Sequence, residues 1–170
     1  MLNKPTGFCC SHEDDGYPSA LKLLPETPKK LHFAGRLDAD TTGLVLLSSD
    51  GQWCHKITSP KQKTLKSKCY QVHVAEIVDE QGLEQLRQGV QLRGEAKPTL
   101  AAQAEKISDL CYQLILQEGK YHQVKRMFAA IGNKVTALHR QSIGAINLDE
   151  SLKPGEYRAL TKAEVKSIHE

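Results

Sequence analysis

The residues best suited to chemistry form one short acidic loop, Asp38-Ala39-Asp40-Thr41-Thr42-Gly43. Carboxylates act in proteins as nucleophiles, general bases and metal ligands. Arg36 lies two positions before Asp38, and a nearby cation favours the ionised, reactive form of a carboxylate. We therefore interpret Arg36 and Asp38 as a working pair for nucleophilic or basic chemistry on an anionic substrate.

Two metal-dependent alternatives make demands that the sequence does not meet. A calcium-binding EF-hand loop beginning at Asp38 requires Glu at its twelfth position, which is Ser49 here. A phosphotransferase of the haloacid dehalogenase type needs a fully apolar strand before Asp-x-Asp-x-Thr and a later acidic Mg²⁺ site, whereas His32 and Arg36 interrupt this strand. We predict no metal site. The remaining alternative is that the loop carboxylates only build an Asx turn.

Basic residues are concentrated in two windows without Asp or Glu, residues 51–75 and 119–148. The net charge is only +3, but these windows hold 10 of the 23 Lys and Arg residues. If the windows meet in space, they form a positive surface for a polyanion such as nucleic acid; otherwise they are two solvated faces. Their basic residues are Lys56, Lys61, Lys63, Lys66, Lys68, Lys120, Lys125, Arg126, Lys134 and Arg140.

Length and composition predict one domain covering residues 1–170, with 39% hydrophobic and 25% charged residues. The longest aliphatic run, Leu44–Leu47, is too short to span a bilayer. The first residues lack a secretory signal, so we expect a cytoplasmic protein without membrane contact. Five cysteines in no CxxC spacing indicate neither a disulfide framework nor a zinc ribbon.

Hydrophobic periodicity predicts more strands than helices, in an order that favours an α+β fold. Short helices are predicted over 19–24 and 79–89, and Thr161-x-x-Glu164 is a capping box that opens a last helix. Strands are predicted over 31–34, 43–48, 68–75, 100–104, 110–116 and 134–148, the last with a turn near Gly144. Trp53 is expected in the core.

The strongest helix prediction covers 121–131, followed by Gly132 as its C-terminal cap. Its apolar stripe consists of Val124, Met127, Phe128 and Ile131. His122, Lys125 and Arg126 lie on the other face, so this helix is predicted to present a cationic row away from the core.

Several segments, taken in order, resemble the RsuA-type pseudouridine synthases over essentially the whole chain. They are Ala34–Leu47 with Asp50-Gly51, Lys68-Cys69-Tyr70, Glu118–Phe128, Leu138-His139-Arg140 with Ile143-Gly144, and Leu152–Leu160. The resemblance implies an α+β pseudouridine synthase fold: a mixed, largely antiparallel sheet with flanking helices and a central basic cleft.

The same resemblance assigns roles to four site residues. Asp38 corresponds to the catalytic aspartate, and Arg36 to the residue that enters the RNA helix where the flipped base stood. Tyr70 corresponds to the aromatic residue that stacks on the target uracil, and Lys125 to the basic residue that pairs with the aspartate. Many relatives carry Arg at that position, and Arg126 is a second candidate for the pairing. We expect Asp38, Tyr70 and Lys125 to converge.

The implied activity is isomerisation of one uridine of small-subunit (16S) ribosomal RNA to pseudouridine, which needs no cofactor. RNA contacts are expected from Lys61, Lys63, Lys66, Lys68, Lys120, His122, Gln123, Arg126 and Arg140. The expected partner is ribosomal RNA in an assembling small subunit, bound by a monomer. The S4-type RNA-binding module that usually precedes the catalytic domain is expected to be absent, and a non-catalytic RNA-binding module is the alternative function.

Overall fold

The computed structural model describes residues 1–26, 30–59 and 66–169. The chain divides into unit one, which comprises Met1–Lys66 and His139–Glu170, and unit two, which comprises Ser67–Leu138. Across the described ranges, no helix has the length and apolar character needed to cross a membrane.

The strands and helices have the following bounds. The strands are β1 (Leu2–Lys4), β2 (His32–Phe33), β3 (Thr42–Val45), β4 (Leu47–Ser48), β5 (Lys68–Val74), β6 (Gln103–Ser108), β7 (Cys111–Leu116), β8 (Val135–Ile143) and β9 (Ile146–Asn147). The α-helices are α1 (Gly51–Thr58), α2 (Glu80–Gln88), α3 (Gln123–Ala130) and α4 (Lys162–Ser167), and a 3-10 helix covers Ala20–Leu23.

Unit one is built on β3, which pairs antiparallel with β1 and parallel with β8. The turn predicted near Gly144 is present, because β8 and β9 pair antiparallel on either side of it. The single strand predicted over 43–48 is wrong: β3 and β4 are separate strands, and β4 pairs with β2 instead. The buried Leu46 separates them, and its carbonyl accepts a hydrogen bond from Ala34 N–H.

The helices of unit one show how local signals and packing combine. The capping box is confirmed, since Thr161 and Glu164 exchange side-chain and backbone hydrogen bonds at the start of α4. Helix α1 was not predicted, although Asp50 caps its first turn by accepting from the Gln52 and Trp53 N–H groups. Trp53 is confirmed as a core residue, at 3% exposure.

Unit two contains the antiparallel strands β5, β7 and β6, in which β7 pairs with both others. The alternation predicted for β5 is confirmed, since Tyr70, Val72 and Val74 are buried. Helix α3 begins two residues later than predicted but buries Val124, Met127 and Phe128 as expected. The strand predicted over 100–104 is observed a few residues later, as β6 (Gln103–Ser108).

The α+β class with a mixed sheet is therefore confirmed: β3 and β8 run parallel, whereas the pairs of unit two are antiparallel. The central basic cleft stays a prediction.

Candidate functional site

Asp38 lies in the loop that joins β2 to β3, where a tight turn holds it at the surface. The Asp38 carbonyl accepts a hydrogen bond from Thr41 N–H at 3.0 Å. Leu37 points inward at 7% exposure, and its N–H donates to the Cys10 thiol sulfur at 3.4 Å. Asp38 itself is half-buried and Asp40 is exposed. The loop therefore fixes its backbone while leaving the Asp38 carboxylate partly accessible.

A buried cation, Lys4, anchors this loop from β1. Its side chain has 0% exposure, and its ammonium donates to the carbonyl oxygens of Pro5 at 2.8 Å and Ala39 at 3.3 Å. Burial lowers the pKa of Lys4, while the Cys10 thiol and the Asp40 and Asp38 carboxylates act in the opposite direction. Lys4 thus contributes positive charge beside Asp38. Sequence analysis missed it, because only the strand pairing of Lys4 with Gly43 brings it to the loop.

Gly43 and Thr42 join the end of the loop to β8. Gly43 has φ +105°, and a Cβ there would overlap the Arg140 carbonyl oxygen and lie 2.8 Å from the Arg140 nitrogen. The close parallel pairing therefore requires glycine at this position. One residue earlier, Thr42 Oγ1 lies 2.7 Å from His139 Nδ1, and burial lowers the pKa of that imidazole.

Arg140 supports the same loop, and its contact with RNA stays a prediction. Its side chain is 2% exposed, because Nε donates to the Leu44 carbonyl at 2.9 Å and Nη1 to the Arg36 carbonyl at 3.5 Å. Among the described residues, Arg140 Nη2 has no hydrogen-bond partner. These hydrogen bonds tie the Arg140 side chain to the backbone of the loop and of β3.

The remaining predicted residues of unit one differ in accessibility. Arg36 is exposed. Lys66 is half-buried, with its side-chain methylenes close to Gly144. Lys61 and Lys63 lie outside the described residues.

In unit two, Tyr70 and Lys68 lie on β5, and Lys125 lies on α3. Tyr70 is 9% exposed and pairs in register with Leu114 of β7. Lys68, opposite Leu116, is half-buried, as is Lys125. Asp38 and Arg36 belong to unit one, and Tyr70 and Lys125 to unit two. The convergence of these residues stays a prediction.

Gln123 is held inside unit two by hydrogen bonds of its side chain, and its contact with RNA stays a prediction. It is 4% exposed. Its Nε2 donates to Glu118 Oε1 at 2.7 Å, and its Oε1 accepts from the Lys120 N–H at 2.8 Å. These bonds close the turn that precedes α3 and use the polar atoms of the amide inside the protein.

Two predicted RNA-binding cations, Lys120 and Arg126, share one carboxylate. Lys120 Nζ lies 3.3 Å from Glu95 Oε2, and Arg126 Nη1 lies 3.1 Å from Glu95 Oε1. The hydrogen bonds from Arg126 and Lys120 hold the pKa of Glu95 below its usual range. Both cations keep about a quarter of their side chain exposed, 24% and 26%. Sequence analysis missed Glu95, because it lies far from both partners along the chain.

Helix α3, which contains Arg126 and follows Lys120, begins with an unusual backbone conformation. His122 is half-buried and caps α3 in the left-handed conformation, with φ 47°. Its imidazole stacks on the ring of Tyr121 with a centroid distance of 3.7 Å and an interplanar angle of 23°. Tyr121 is 71% exposed, and no sequence signal distinguished it from the apolar stripe of the helix.

The arrangement around Asp38 suits acid–base or nucleophilic chemistry by a carboxylate. The Asp38 carboxylate is partly accessible, and the buried ammonium of Lys4 contributes positive charge beside it. In the described ranges, no group of three or more His, Cys, Asp or Glu residues could hold a metal ion.

Comparison with known proteins gives consistent similarities. Residues 1–130 match the family described as RNA pseudouridylate synthase. The chain is 56% identical over 169 residues to ribosomal small subunit pseudouridine synthase A of Vibrio cholerae serotype O1, covering 99% of this chain and 72% of the relative. The protein of the same name from Escherichia coli strain K12 is 51% identical over 169 residues, with the same coverage.

A solved structure agrees with these sequence similarities. The structure titled "Crystal structure of pseudouridylate synthase" superposes with a TM-score of 0.92 at 51% sequence identity. The match covers 98% of this chain and 71% of that one. The similarity therefore extends through both units.

Proposed function

This chain belongs to the RNA pseudouridylate synthase family, and on that premise we propose that it isomerises one uridine of small-subunit (16S) ribosomal RNA to pseudouridine. The observation that carries the proposal is 56% identity, over 99% of this chain, to ribosomal small subunit pseudouridine synthase A of Vibrio cholerae. The chain is thus an isomerase.

The reaction rearranges bonds within one nucleoside. The N1–C1′ bond breaks, the uracil turns, C5 joins C1′, and the hydrogen on C5 leaves as a proton while N1 gains one. The atoms balance without an oxidant, a reductant or a second substrate, so the reaction needs no cofactor. Asp38 acts on the sugar, either by attack on C1′ or by removal of a sugar proton. Its partial exposure and the nearby charge of Lys4 support this role.

The target uridine is flipped out of the RNA so that Asp38 reaches its sugar. Unstacking a base costs a few kcal/mol, and stacking on an aromatic side chain returns about 1–3 kcal/mol. Tyr70 stacks on the extruded uracil, Arg36 fills the space that the base leaves, and Lys125 pairs with Asp38. The exposure of Arg36 and the position of Lys125 on the polar side of α3 support these assignments.

RNA binding depends on cations of both units. Lys61, Lys63, Lys66, Lys68, Lys120 and Arg126 contact phosphates, and His122 contributes from the start of α3. The partner is ribosomal RNA, within an assembling small ribosomal subunit, and the enzyme acts as a monomer in the cytoplasm. Glycerol-gradient analysis of the enzyme with naked 16S RNA and with assembling subunits tests which form it binds.

Asp38→Asn tests the catalytic assignment. We expect it to abolish tritium release from ribosomal RNA labelled at C5 of uridine while leaving RNA affinity nearly intact, because the amide keeps the shape but not the charge. Asp15→Asn, an exposed acid on another loop of unit one, is the matched control and should retain wild-type turnover. An active Asp38→Asn variant would remove the proposed role.

Lys125 variants separate pairing with Asp38 from RNA binding. Lys125→Ala should lower turnover, because the carboxylate loses an orienting cation, whereas Lys125→Arg should restore most of it. Equal turnover in wild-type and Lys125→Ala enzymes would contradict the ion pair. A wild-type protein that binds the RNA but releases no tritium would instead identify a non-catalytic RNA-binding module.

A further inference from the structure

Tyr121 is the most exposed large hydrophobic side chain in the part of the chain that the structure describes, at 71%. One face of its ring is covered by the stacked imidazole of His122, at a centroid distance of 3.7 Å. The high exposure leaves the remaining surface of the phenol ring open to solvent. The pair therefore offers a flat aromatic surface that is supported from one side.

The backbone at this position is held in a conformation that side chains other than glycine rarely adopt. His122 has φ 47° and ψ 36°, and in the described ranges it is the one non-glycine residue with positive φ. Left-handed residues of this kind cluster at functional sites, where the surrounding structure maintains them. Here the turn at His122 brings two consecutive rings onto the same side of the chain, which an extended segment would not do.

Arg126 fixes the position of Tyr121 through the main chain. Its Nη1 donates to the Tyr121 carbonyl at 2.9 Å, and its Nη2 donates to the Arg93 carbonyl at 2.7 Å. The pairing of Arg126 and Lys120 with Glu95 closes this network. The exposed ring is thus attached to an ordered turn with cations at its edge, all within unit two.

We propose that Tyr121 is a stacking platform for an unpaired base of the RNA substrate, separate from the uridine that reacts. The inference rests on the proposed function, because it assumes an RNA ligand. An aromatic surface next to cations is the combination that binds single-stranded nucleic acid: bases stack on the ring while phosphates contact the cations. A base on the open face of Tyr121 extends the existing two-ring stack to three rings.

Substitution of the ring tests the platform, with a matched tyrosine elsewhere as control. Tyr121→Ala should weaken binding of a substrate RNA fragment about 5- to 150-fold and should raise KM more than it lowers kcat. Tyr121→Phe keeps the ring and should bind within about 2-fold of wild type. Tyr17→Ala removes a tyrosine of unit one that is 51% exposed, and should change neither parameter. Circular dichroism melting verifies that each variant is folded.

Equal RNA affinity of wild-type and Tyr121→Ala proteins would overturn the inference, because binding is measured without turnover. Failure of the proposed function would differ, since the wild-type protein would then release no tritium. Crosslinking gives a second readout: RNA containing 4-thiouridine should attach to the tryptic peptide Tyr121–Lys125. Crosslinks confined to other peptides would place the RNA elsewhere and would also overturn the inference.

Discussion

The ammonium group of Lys4 donates a hydrogen bond to the carbonyl oxygen of Ala39, which directly follows Asp38 in the chain. Lys4 is fully buried, and the same carbonyl also accepts from the Gly7 N–H at 2.8 Å. A buried cation is costly unless hydrogen bonds and opposite charges compensate it. Here the ammonium donates to the carbonyls of Pro5 and Ala39, and the carboxylates of Asp38 and Asp40 act against the effect of burial on the pKa of Lys4.

Lys4→Met should therefore lower both stability and turnover. The variant leaves the Pro5 and Ala39 carbonyls without their cationic donor, at a cost of about 1–3 kcal/mol, and removes positive charge beside Asp38. Urea unfolding and tritium release measure the two effects. Lys22→Met is the control, since Lys22 forms a surface ion pair with Asp14 and is 60% exposed. Wild-type turnover in Lys4→Met would show that the anchor does not act on Asp38.

Gly43→Ala should destabilise the protein by more than about 3 kcal/mol or prevent folding, because the new methyl group overlaps the Arg140 backbone. Gly155→Ala provides the comparison. Gly155 also has positive φ, +88°, but a Cβ there meets nothing within 4 Å, so only conformational strain of about 1–2 kcal/mol applies. Thermal melting of both variants distinguishes overlap from strain. Similar losses of stability in the two variants would mean that β3 and β8 move apart at little cost to accommodate the methyl group.

RNA affinity should fall steeply with salt, because phosphate contacts release counterions. Contact with about four to six phosphates predicts a slope of roughly −3 to −5 when log affinity is plotted against log salt concentration. Lys66→Ala should reduce the magnitude of this slope by about 1. Lys153→Ala, an exposed lysine outside both basic windows, should leave it unchanged. Filter binding at several salt concentrations gives the slopes, and a flat wild-type plot would exclude the electrostatic model.

Arg158 makes the stability of unit one dependent on acid pH. It donates to Asp149 at 2.6 Å and to Glu164 at 2.8 Å. The Arg158 guanidinium lowers the pKa of Glu164 to about 2, and the Ser151 hydroxyl together with Arg158 lowers that of Asp149 to about 2. Their ordinary values are 4.5 and 3.8. The unfolded state therefore binds more protons, so this stabilisation is present above about pH 4.5 and is lost as pH falls towards 2.

Arg158→Met should lower Tm by roughly 2–8 °C at pH 7. The difference from wild type should shrink between pH 5 and pH 3, as the advantage of the ionised carboxylates in the wild-type protein declines. Lys162→Met, which removes an exposed cation from α4, should shift Tm little at any pH. A difference that stays constant down to pH 3 would assign the loss to packing of the arginine stem.

Several elements of this protein were predictable because their signals are local. The alternation in β5, the apolar stripe of α3 and the capping box of α4 depend on residues within a few positions of each other. Helix α1 was not predicted, since it packs Trp53, Cys54 and Ile57 against a core assembled from distant segments. The division of residues 43–48 into β3 and β4 likewise depends on partners elsewhere in the chain.

The family, the acidic loop and the order of the motifs could be identified from the sequence, because residue type and spacing carry that information directly. Which polar side chains are buried, in contrast, depends on the folded arrangement of the chain. Three side chains of types that usually lie at the surface are buried here: Lys4, Arg140 and Gln123. Lys4 and Arg140 donate to backbone carbonyls far away in sequence, and Gln123 bonds within its own turn. Residue type specifies charge and hydrogen-bonding capacity, whereas the partners that make burial favourable are supplied by the fold.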